Sequence, residues 1–303
     1  MSTFLVTGAT GQQGRATVDA LLARGAKVHA VVRDPTKAAA RELEDLGVVL
    51  FKGDHDDPDT FRESAQGCVG IFLNLLEYPR NPDPAKQAEG ILAACKDAGI
   101  EHVVASTAGW VGNREKWDIP ETQGSALVEY YGGEELVENV VRRSGLGSYT
   151  IIRPLWFQSN YKGPLMDFYY PEIRESSTLV HSLKPGAVLP HINVGDIGRF
   201  AAMALSDPAK FAGKEIELAS ENLTIREIAE ALGKVVGKQI TVTRAAAGEP
   251  GKPRNSTSWH TWANSVDLRV DVEGLVQQYE FRFTTLEEYL IKEKEKGRLE
   301  WLL

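Results

Sequence analysis

One feature constrains the fold more than any other: the loop Gly8-Ala9-Thr10-Gly11-Gln12-Gln13-Gly14, which closes the apolar run Phe4–Thr7 and opens the amphipathic pattern Arg15–Arg24. Glycines mark any tight turn, so the triplet gains meaning only from standing between a strand and a helix. There Gly8 permits the turn, Gly11 lets backbone come close to a bound group, and Gly14 lets the helix pack against the strand. The helix start adds N–H groups and the positive end of its dipole, a setting suited to phosphate. A chain that begins this way is directed towards a parallel sheet, because the crossover through a helix brings the second strand alongside the first.

The first half keeps the alternation. Strands are predicted at Phe4–Thr7, Lys27–Val32, Val48–Lys52, Val69–Leu75, His102–Ser106 and Tyr149–Arg153, and helices at Arg15–Arg24, Pro35–Leu46, Asp59–Ala65, Pro84–Ala98 and Ala126–Ser144. Residues 1–154 therefore predict an α/β fold, a Rossmann-type doubly wound parallel sheet that binds a dinucleotide. Residues 155–303 predict a small α+β carboxy-terminal lobe, mainly for substrate, with later strands returning to the sheet. Its first stretch, Trp156 to Ile173, is rich in aromatic residues without a clear period and reads as a pocket wall. Strands are expected near Thr178–Leu183, Glu215–Ala219 and Gln239–Thr243, and a helix from Val194 to Leu205. Thr224-Ile225-Arg226-Glu227 is a capping box that should start a helix reaching Val236. A polar loop over Ala246–Asn255 and two final helices, the second capped by Thr285-Leu286-Glu287-Glu288, complete the chain.

The net charge of -8 argues against a general nucleic-acid binder, and no run approaches the ~20 apolar residues of a membrane span. The opening Met1-Ser2-Thr3 runs straight into a strand with no basic or apolar leader, which predicts a cytoplasmic protein. Cys68 and Cys95 are expected in the core, and no His or Cys spacing predicts a metal site.

The ends of the second and third strands bear on the cofactor. Arg33 stands where an acidic residue would hold the ribose 2′-hydroxyl of NAD, and a guanidinium there favours the 2′-phosphate of NADP, with Lys37 as a second cation. Both are otherwise ordinary surface cations. Asp34 keeps NAD(H) as the alternative to NADP(H). Asp54 is placed to receive the adenine amino group, and Asp57, ahead of Pro58, to cap the next helix. His55 is as well read as a loop histidine as a ligand.

Taken in order, the glycine loop, Val32-Arg33-Asp34-Pro35, Gly53-Asp54, Ser144-Gly145-Leu146, Ile152-Arg153-Pro154, Val194-Gly195-Asp196-Ile197-Gly198 and Glu217-Leu218-Ala219 resemble the NmrA-like family of atypical short-chain dehydrogenases, with its isoflavone-reductase-like relatives. The resemblance covers nearly the whole chain. It implies an NADP-preferring Rossmann core and carries cofactor contacts over to Thr10, Gly11, Gln12, Gln13, Arg33, Lys37, Asp54, His55, Asn74, Leu75, Phe157 and Asn160. The family holds both reductases and proteins that sense the cofactor without turning it over.

Reductases of the related groups set a Tyr four residues before a Lys on the helix after strand five. Here Tyr130 is followed by Glu134, and no Lys lies between Trp117 and Tyr161. Glu134 is either a ribose ligand or general base, or a solvated helix residue beside a packed tyrosine. Ser106 falls where related enzymes orient the substrate carbonyl. The aromatic residues Trp110, Trp117, Trp156, Phe157, Tyr161, Phe168, Tyr169, Tyr170, Trp259 and Trp262 predict a large hydrophobic or aromatic ligand; His181, His191 and His260 are further candidate acids or bases. The expected function is an NADPH-dependent oxidoreductase on a hydrophobic carbonyl or enone. The alternatives are a redox sensor acting through a protein partner, and a non-redox isomerase or dehydratase.

Overall fold

The structure is a computed structural model that describes residues 1–75, 83–245 and 257–299. In chain order its elements are β1 (Thr3–Val6), α1 (Gln12–Ala23), β2 (Lys27–Val32), α2 (Ala38–Asp45), β3 (Val49–Lys52), α3 (Pro58–Ser64), β4 (Gly70–Leu73), α4 (Pro84–Asp97), β5 (His102–Ser106), α5 (Arg114–Trp117), α6 (Ala126–Arg143) and β6 (Ser148–Pro154). There follow β7 (Trp156–Phe157), a 3-10 turn at Gln158–Tyr161, α7 (Gly163–Tyr169), α8 (Ile173–Ser176), β8 (Thr178–His181), β9 (Val188–Ile192), α9 (Val194–Ser206), α10 (Pro208–Phe211) and β10 (Lys214–Leu218). The last are β11 (Glu221–Thr224), α11 (Ile225–Val236), β12 (Thr241–Arg244), α12 (Thr257–Ser265), α13 (Val272–Tyr279) and α14 (Leu286–Glu295). Two compact units result, one of Met1–Gly112, Glu129–Pro154 and Val194–Glu217, the other of Asn113–Val128, Leu155–Asn193 and Leu218–Leu303.

The first unit is built on a seven-stranded sheet in the order β10-β6-β5-β4-β1-β2-β3. Strands β3, β2, β1, β4, β5 and β6 pair in parallel. In the central strands β1, β4 and β5 nearly every side chain is buried, which is why they read as apolar runs, whereas the edge strand β3 is partly exposed. Leu5, Val31, Ile71, Val103 and Ile151 from the strands meet Ile91, Leu92, Val137 and Val141 from α4 and α6 in one core. Cys68 and Cys95 lie in that core as free thiols, and burial pushes both up to about 12. Strand order reverses between β1 and β4, so the loops leaving their carboxyl ends flank the crevice where doubly wound sheets bind ligands.

In the second unit β9 is the middle strand of β11-β9-β7, and β12 pairs in parallel with β8. Strand β9 escapes a sequence reading because Pro190, which has no N–H to donate, sits inside it opposite Asn222. Both capping boxes form, at Thr224 with Glu227 and at Thr285 with Glu288. Among the described residues three helices, not two, follow residue 256. The extra one, α12, sets Trp259, Trp262 and Ala263 at helical spacing; Trp262 is buried, and its Nε1 donates to the Lys116 carbonyl at 2.7 Å. The expected loop over 246–255 lies outside the described residues. Among the described residues no helix is long and apolar enough to cross a membrane.

Candidate functional site

The loop after β1 is shaped by backbone. Gly8 takes φ +60, and the Gly11 amide donates to the Gly8 carbonyl at 2.8 Å. A Cβ on Gly14 would lie 2.1 Å from the Gly8 carbonyl oxygen, so only glycine lets the first turn of α1 close on the loop. Helix α1 consequently begins at Gln12, three residues earlier than its apolar period indicates. Its N-cap is Gly11, and no side chain caps it. First-turn amides without a side-chain cap, at the positive end of a helix, form a seat for phosphate.

At the end of β2 the Asp34 carboxylate turns back on its own loop, accepting the Thr36 amide at 2.9 Å and the Thr36 hydroxyl at 2.6 Å. Those two bonds, with a smaller pull from Lys37, hold its carboxyl below the usual range. Arg33 is left exposed, and Lys37, mostly exposed, is the N-cap of α2. His55, after β3, is half-buried; burial lowers its pKa, Asp54 opposes that, and the Arg33 charge adds to it. The ends of β2 and β3 thus bring Arg33 and His55 near one another. Asp54 accepts the His55 amide at 2.7 Å, and Asp57 caps α3 through the Asp59 and Thr60 amides.

The ends of β1, β4 and β5 are joined by hydrogen bonds. The Thr7 hydroxyl accepts the Asn74 amide at 2.7 Å and donates to the Asn74 carbonyl at 3.0 Å. The Asn74 side-chain amide reaches the Ser106 carbonyl at 3.4 Å. Ser106 donates its hydroxyl hydrogen to Gln13 Oε1 at 2.7 Å, with both residues buried. The hydroxyl expected to orient a carbonyl is therefore tied to the glycine loop and presents its oxygen. Leu75, beside Asn74, is half-buried.

The buried residues of α6 are Leu127, Tyr131, Glu134, Val137, Glu138, Val140 and Val141. Tyr130 is half-buried at their margin, with its ring edge-on to Tyr131 at 5.3 Å. Glu134 is 8% exposed, so it is not a solvated helix residue. Tyr131, which the sequence did not single out, donates its hydroxyl to the Gly109 carbonyl at 2.8 Å. Its place on the helix stripe, one position past Tyr130, was the signal available.

A buried charge cluster adjoins this helix and went unread because its members are scattered. Arg153 of β6 forks onto Glu138 through Nε at 2.7 Å and Nη2 at 2.8 Å, and reaches Glu217 through Nη1 at 3.1 Å. It also pairs with Glu215, as does Arg142 at 2.7 Å. Glu138, fully buried, further accepts the Thr107 hydroxyl at 2.8 Å. Glu217 accepts the Trp110 amide through Oε2 at 2.6 Å. Burial pushes the Glu217 carboxyl up to about 7 against the pull of Arg153. Trp110 itself has φ +69, a conformation that costs a bulky residue on the order of 1–3 kcal/mol.

In the second unit, Phe157 ends β7 opposite Ile192 and Asn160 lies in the 3-10 turn. Trp156 meets Tyr169 with ring centroids 4.6 Å apart and Trp259 at 6.0 Å, and Trp259 meets Trp262 at 5.5 Å, a continuous aromatic wall. The candidate histidines are engaged within the fold. His191 Nδ1 is 2.6 Å from the Leu189 carbonyl, which can only accept, so Nε2 accepts the Tyr161 hydroxyl at 2.7 Å. His260 Nδ1 faces the Ser182 hydroxyl at 3.1 Å, and His181 Nδ1 accepts the Leu183 amide at 3.0 Å. Burial lowers His191 and His260 to about 4. Among the described residues no group of three or more His, Cys, Asp or Glu gathers to hold a metal.

The NmrA-like family matches residues 1–290 of the chain. An NAD(P)H azoreductase of Xenophilus azovorans is 30% identical over 78% of this chain and 75% of its own. Among solved structures, NmrA, a negative transcriptional regulator, superposes with a TM-score of 0.77 at 21% identity, covering 100% of this chain and 99% of its own. NmrA has been solved with NADP and with NAD. An NADPH-dependent quinone oxidoreductase from Escherichia coli, complexed with NADPH, superposes with a TM-score of 0.74 at 23% identity, covering 95% of this chain and 98% of its own.

Proposed function

The chain belongs to the NmrA-like family, and on that premise we propose that it is an NADPH-dependent oxidoreductase that reduces a carbonyl or enone on a hydrophobic, aromatic small molecule. The observation that carries the cofactor reading is the division of labour after β2: Thr36 holds Asp34 Oδ1 and turns the carboxylate onto its own loop, while Arg33 stands exposed near His55. A carboxylate free to accept the ribose 2′-hydroxyl would favour NAD; an outward guanidinium favours the 2′-phosphate. Gly8, Thr10, Gly11, Gln12, Gln13 and Gly14 would hold the pyrophosphate, Arg33 and Lys37 the 2′-phosphate, Asp54 and His55 the adenosine, and Asn74 and Leu75 the nicotinamide half; Phe157 and Asn160 are cofactor contacts that the family resemblance carries over. The loop, closed on α1 because Gly14 has no Cβ and started at Gly11 without a side-chain cap, fits such a group.

When bound, NADPH supplies the hydride. The chain supplies a proton from Tyr130 Oη to the substrate oxygen and an acceptor for a ribose hydroxyl at Glu134, both from α6, while Ser106 at the end of β5, its hydroxyl hydrogen given to Gln13, offers an acceptor oxygen. Residues 1–154 carry the cofactor, and residues 155–303 mainly the substrate, with the Trp156, Tyr169 and Trp259 rings suited to an aromatic ligand. Relatives named as azo and quinone reductases support that substrate class.

Calorimetric titration of NADPH, NADP+, NADH and NAD+, followed by turnover at the nicotinamide absorbance band with a quinone and enone panel, tests this. Preference for the NADP pair and saturable oxidation of NADPH are expected. Tight NADPH binding with no turnover across the panel would sink the catalytic reading. Glu134 favours a second reading, a sensor that binds without reducing, because an acidic residue replaces the cation that assists the tyrosine. A sensor must discriminate oxidised from reduced cofactor, so equal affinity for both counts against it.

A further inference from the structure

Three non-glycine residues have left-handed backbone among the described residues: Trp110, Ser177 and Glu280. Ser177 and Glu280 are the C-caps of α8 and α13, where that conformation comes with ending a helix. Trp110 ends no helix. It lies in the turn that leaves β5, between Gly109 and Gly112, and glycine is the residue that takes φ +69 without steric cost. Such strain persists only where the surroundings over-determine it, and it gathers at ligand-binding positions.

The surroundings here are explicit. The Gly109 amide donates to the Pro154 carbonyl at 3.0 Å, the Gly109 carbonyl accepts the Tyr131 hydroxyl at 2.8 Å, and the Trp110 amide donates to Glu217 Oε2 at 2.6 Å. Glu217 is fixed in turn by Arg153, and the turn lies so close to that guanidinium that a Cβ on Gly112 would sit 2.4 Å from Arg153 Nη2. Tyr131 of α6 and Glu217 of β10 therefore fix the Gly109–Trp110 peptide, and β6 the peptide before it, four residues past Ser106, at the carboxyl end of the sheet where doubly wound folds bind their ligands.

We propose that Trp110 is a substrate-contacting, specificity-determining residue and that Glu217 is its positioning residue, holding the Trp110 amide so that the indole is fixed beside the end of β5 for an aromatic substrate. This rests on the oxidoreductase reading for the substrate class. The groups facing Glu217 are Arg153 from β6, Glu138 from α6 and the Trp110 amide; Glu215, two residues earlier on its own strand, is engaged by Arg142 and Arg153. A charged carboxylate binds an amide more strongly than a neutral carboxyl does. With the Glu217 carboxyl pushed up to about 7, the hold weakens as pH falls through neutrality.

The test is calorimetric binding of 1,4-naphthoquinone to the NADP+-saturated protein, with kcat and KM for its reduction by NADPH alongside. Trp110→Gly suits the backbone and removes only the indole; it is expected to weaken naphthoquinone at least about tenfold while leaving NADPH affinity within about twofold. Glu217→Gln keeps an acceptor for the amide; it should weaken naphthoquinone by about threefold and flatten the rise in its Kd seen in the parent as pH falls from about 8 to about 6. If Glu217 acts through Trp110, the double variant binds no more weakly than Trp110→Gly alone. Naphthoquinone binding unchanged in Trp110→Gly, or additive losses in the double variant, overturns the inference. A parent protein that binds naphthoquinone without reducing it defeats the oxidoreductase reading alone; turnover with unchanged binding in Trp110→Gly defeats this inference alone; neither binding nor turnover in the parent defeats both.

Discussion

The carboxyl ends of β1 and β5 sit in one sheet and are made in opposite ways. After β1 the geometry is backbone: Gly8 at φ +60, an N-cap without a side chain, and a helix that closes on the loop because Gly14 has no Cβ. After β5 the geometry is side chains: Tyr131, Glu138, Arg153 and Glu217, from three different elements, hold Thr107, Gly109 and Trp110. A backbone-made site depends on which residues lack atoms, so it is short in sequence and tolerates change around it. A side-chain-made site depends on partners brought together by folding. Losing one partner there leaves a buried charge uncompensated, which costs more than losing a surface contact.

The largest effect should come from breaking the second kind of site. Glu138→Ala leaves Arg153 buried against fewer carboxylates and is expected to cost about 3–5 kcal/mol in denaturant unfolding. A loss below about 1 kcal/mol would mean that Glu215 and Glu217 suffice and that the cluster is redundant. Gly14→Ala attacks the first kind: the new Cβ must displace the Gly8 carbonyl, so stability should fall by about 1–3 kcal/mol and dinucleotide binding should be lost in calorimetry. Retained binding would show that the helix can retreat from the loop.

Arg33→Ala changes a side chain at the rim of the backbone-made site. NADPH affinity should drop about 10- to 100-fold with NADH affinity unchanged, and an equal loss for both would remove the 2′-phosphate assignment. Ser106→Ala, which leaves Gln13 Oε1 without its donor between the two sites, should cost about 1 kcal/mol of stability. An unchanged melting temperature would show that the two strand ends are not coupled through this bond.

A pH series separates the two units instead. His191 and His260 have folded values near 4 against an ordinary 6.5, so the unfolded chain binds the extra protons. The stability they support is present above about 6.5 and is lost as pH falls towards 4. His191→Gln should flatten the fall of unfolding free energy over that window; an unaltered slope would show that His191 does not contribute to it.

The sequence determined the parallel sheet, the glycine loop, the strands Lys27–Val32 and His102–Ser106, and both capping boxes, because each is written in neighbouring residues with a fixed period or spacing. It also placed Glu134 one turn after Tyr130, though not that Glu134 is buried. Only the tertiary structure decided the rest. It seated Pro190 inside a strand, tied Ser106 to Gln13 across 93 residues, and set Glu217 against the strained amide of Trp110 across 107. The last two join polar groups from elements far apart in the chain. No local periodicity encodes them, because what selects them is the cost of leaving a buried donor or charge without its partner.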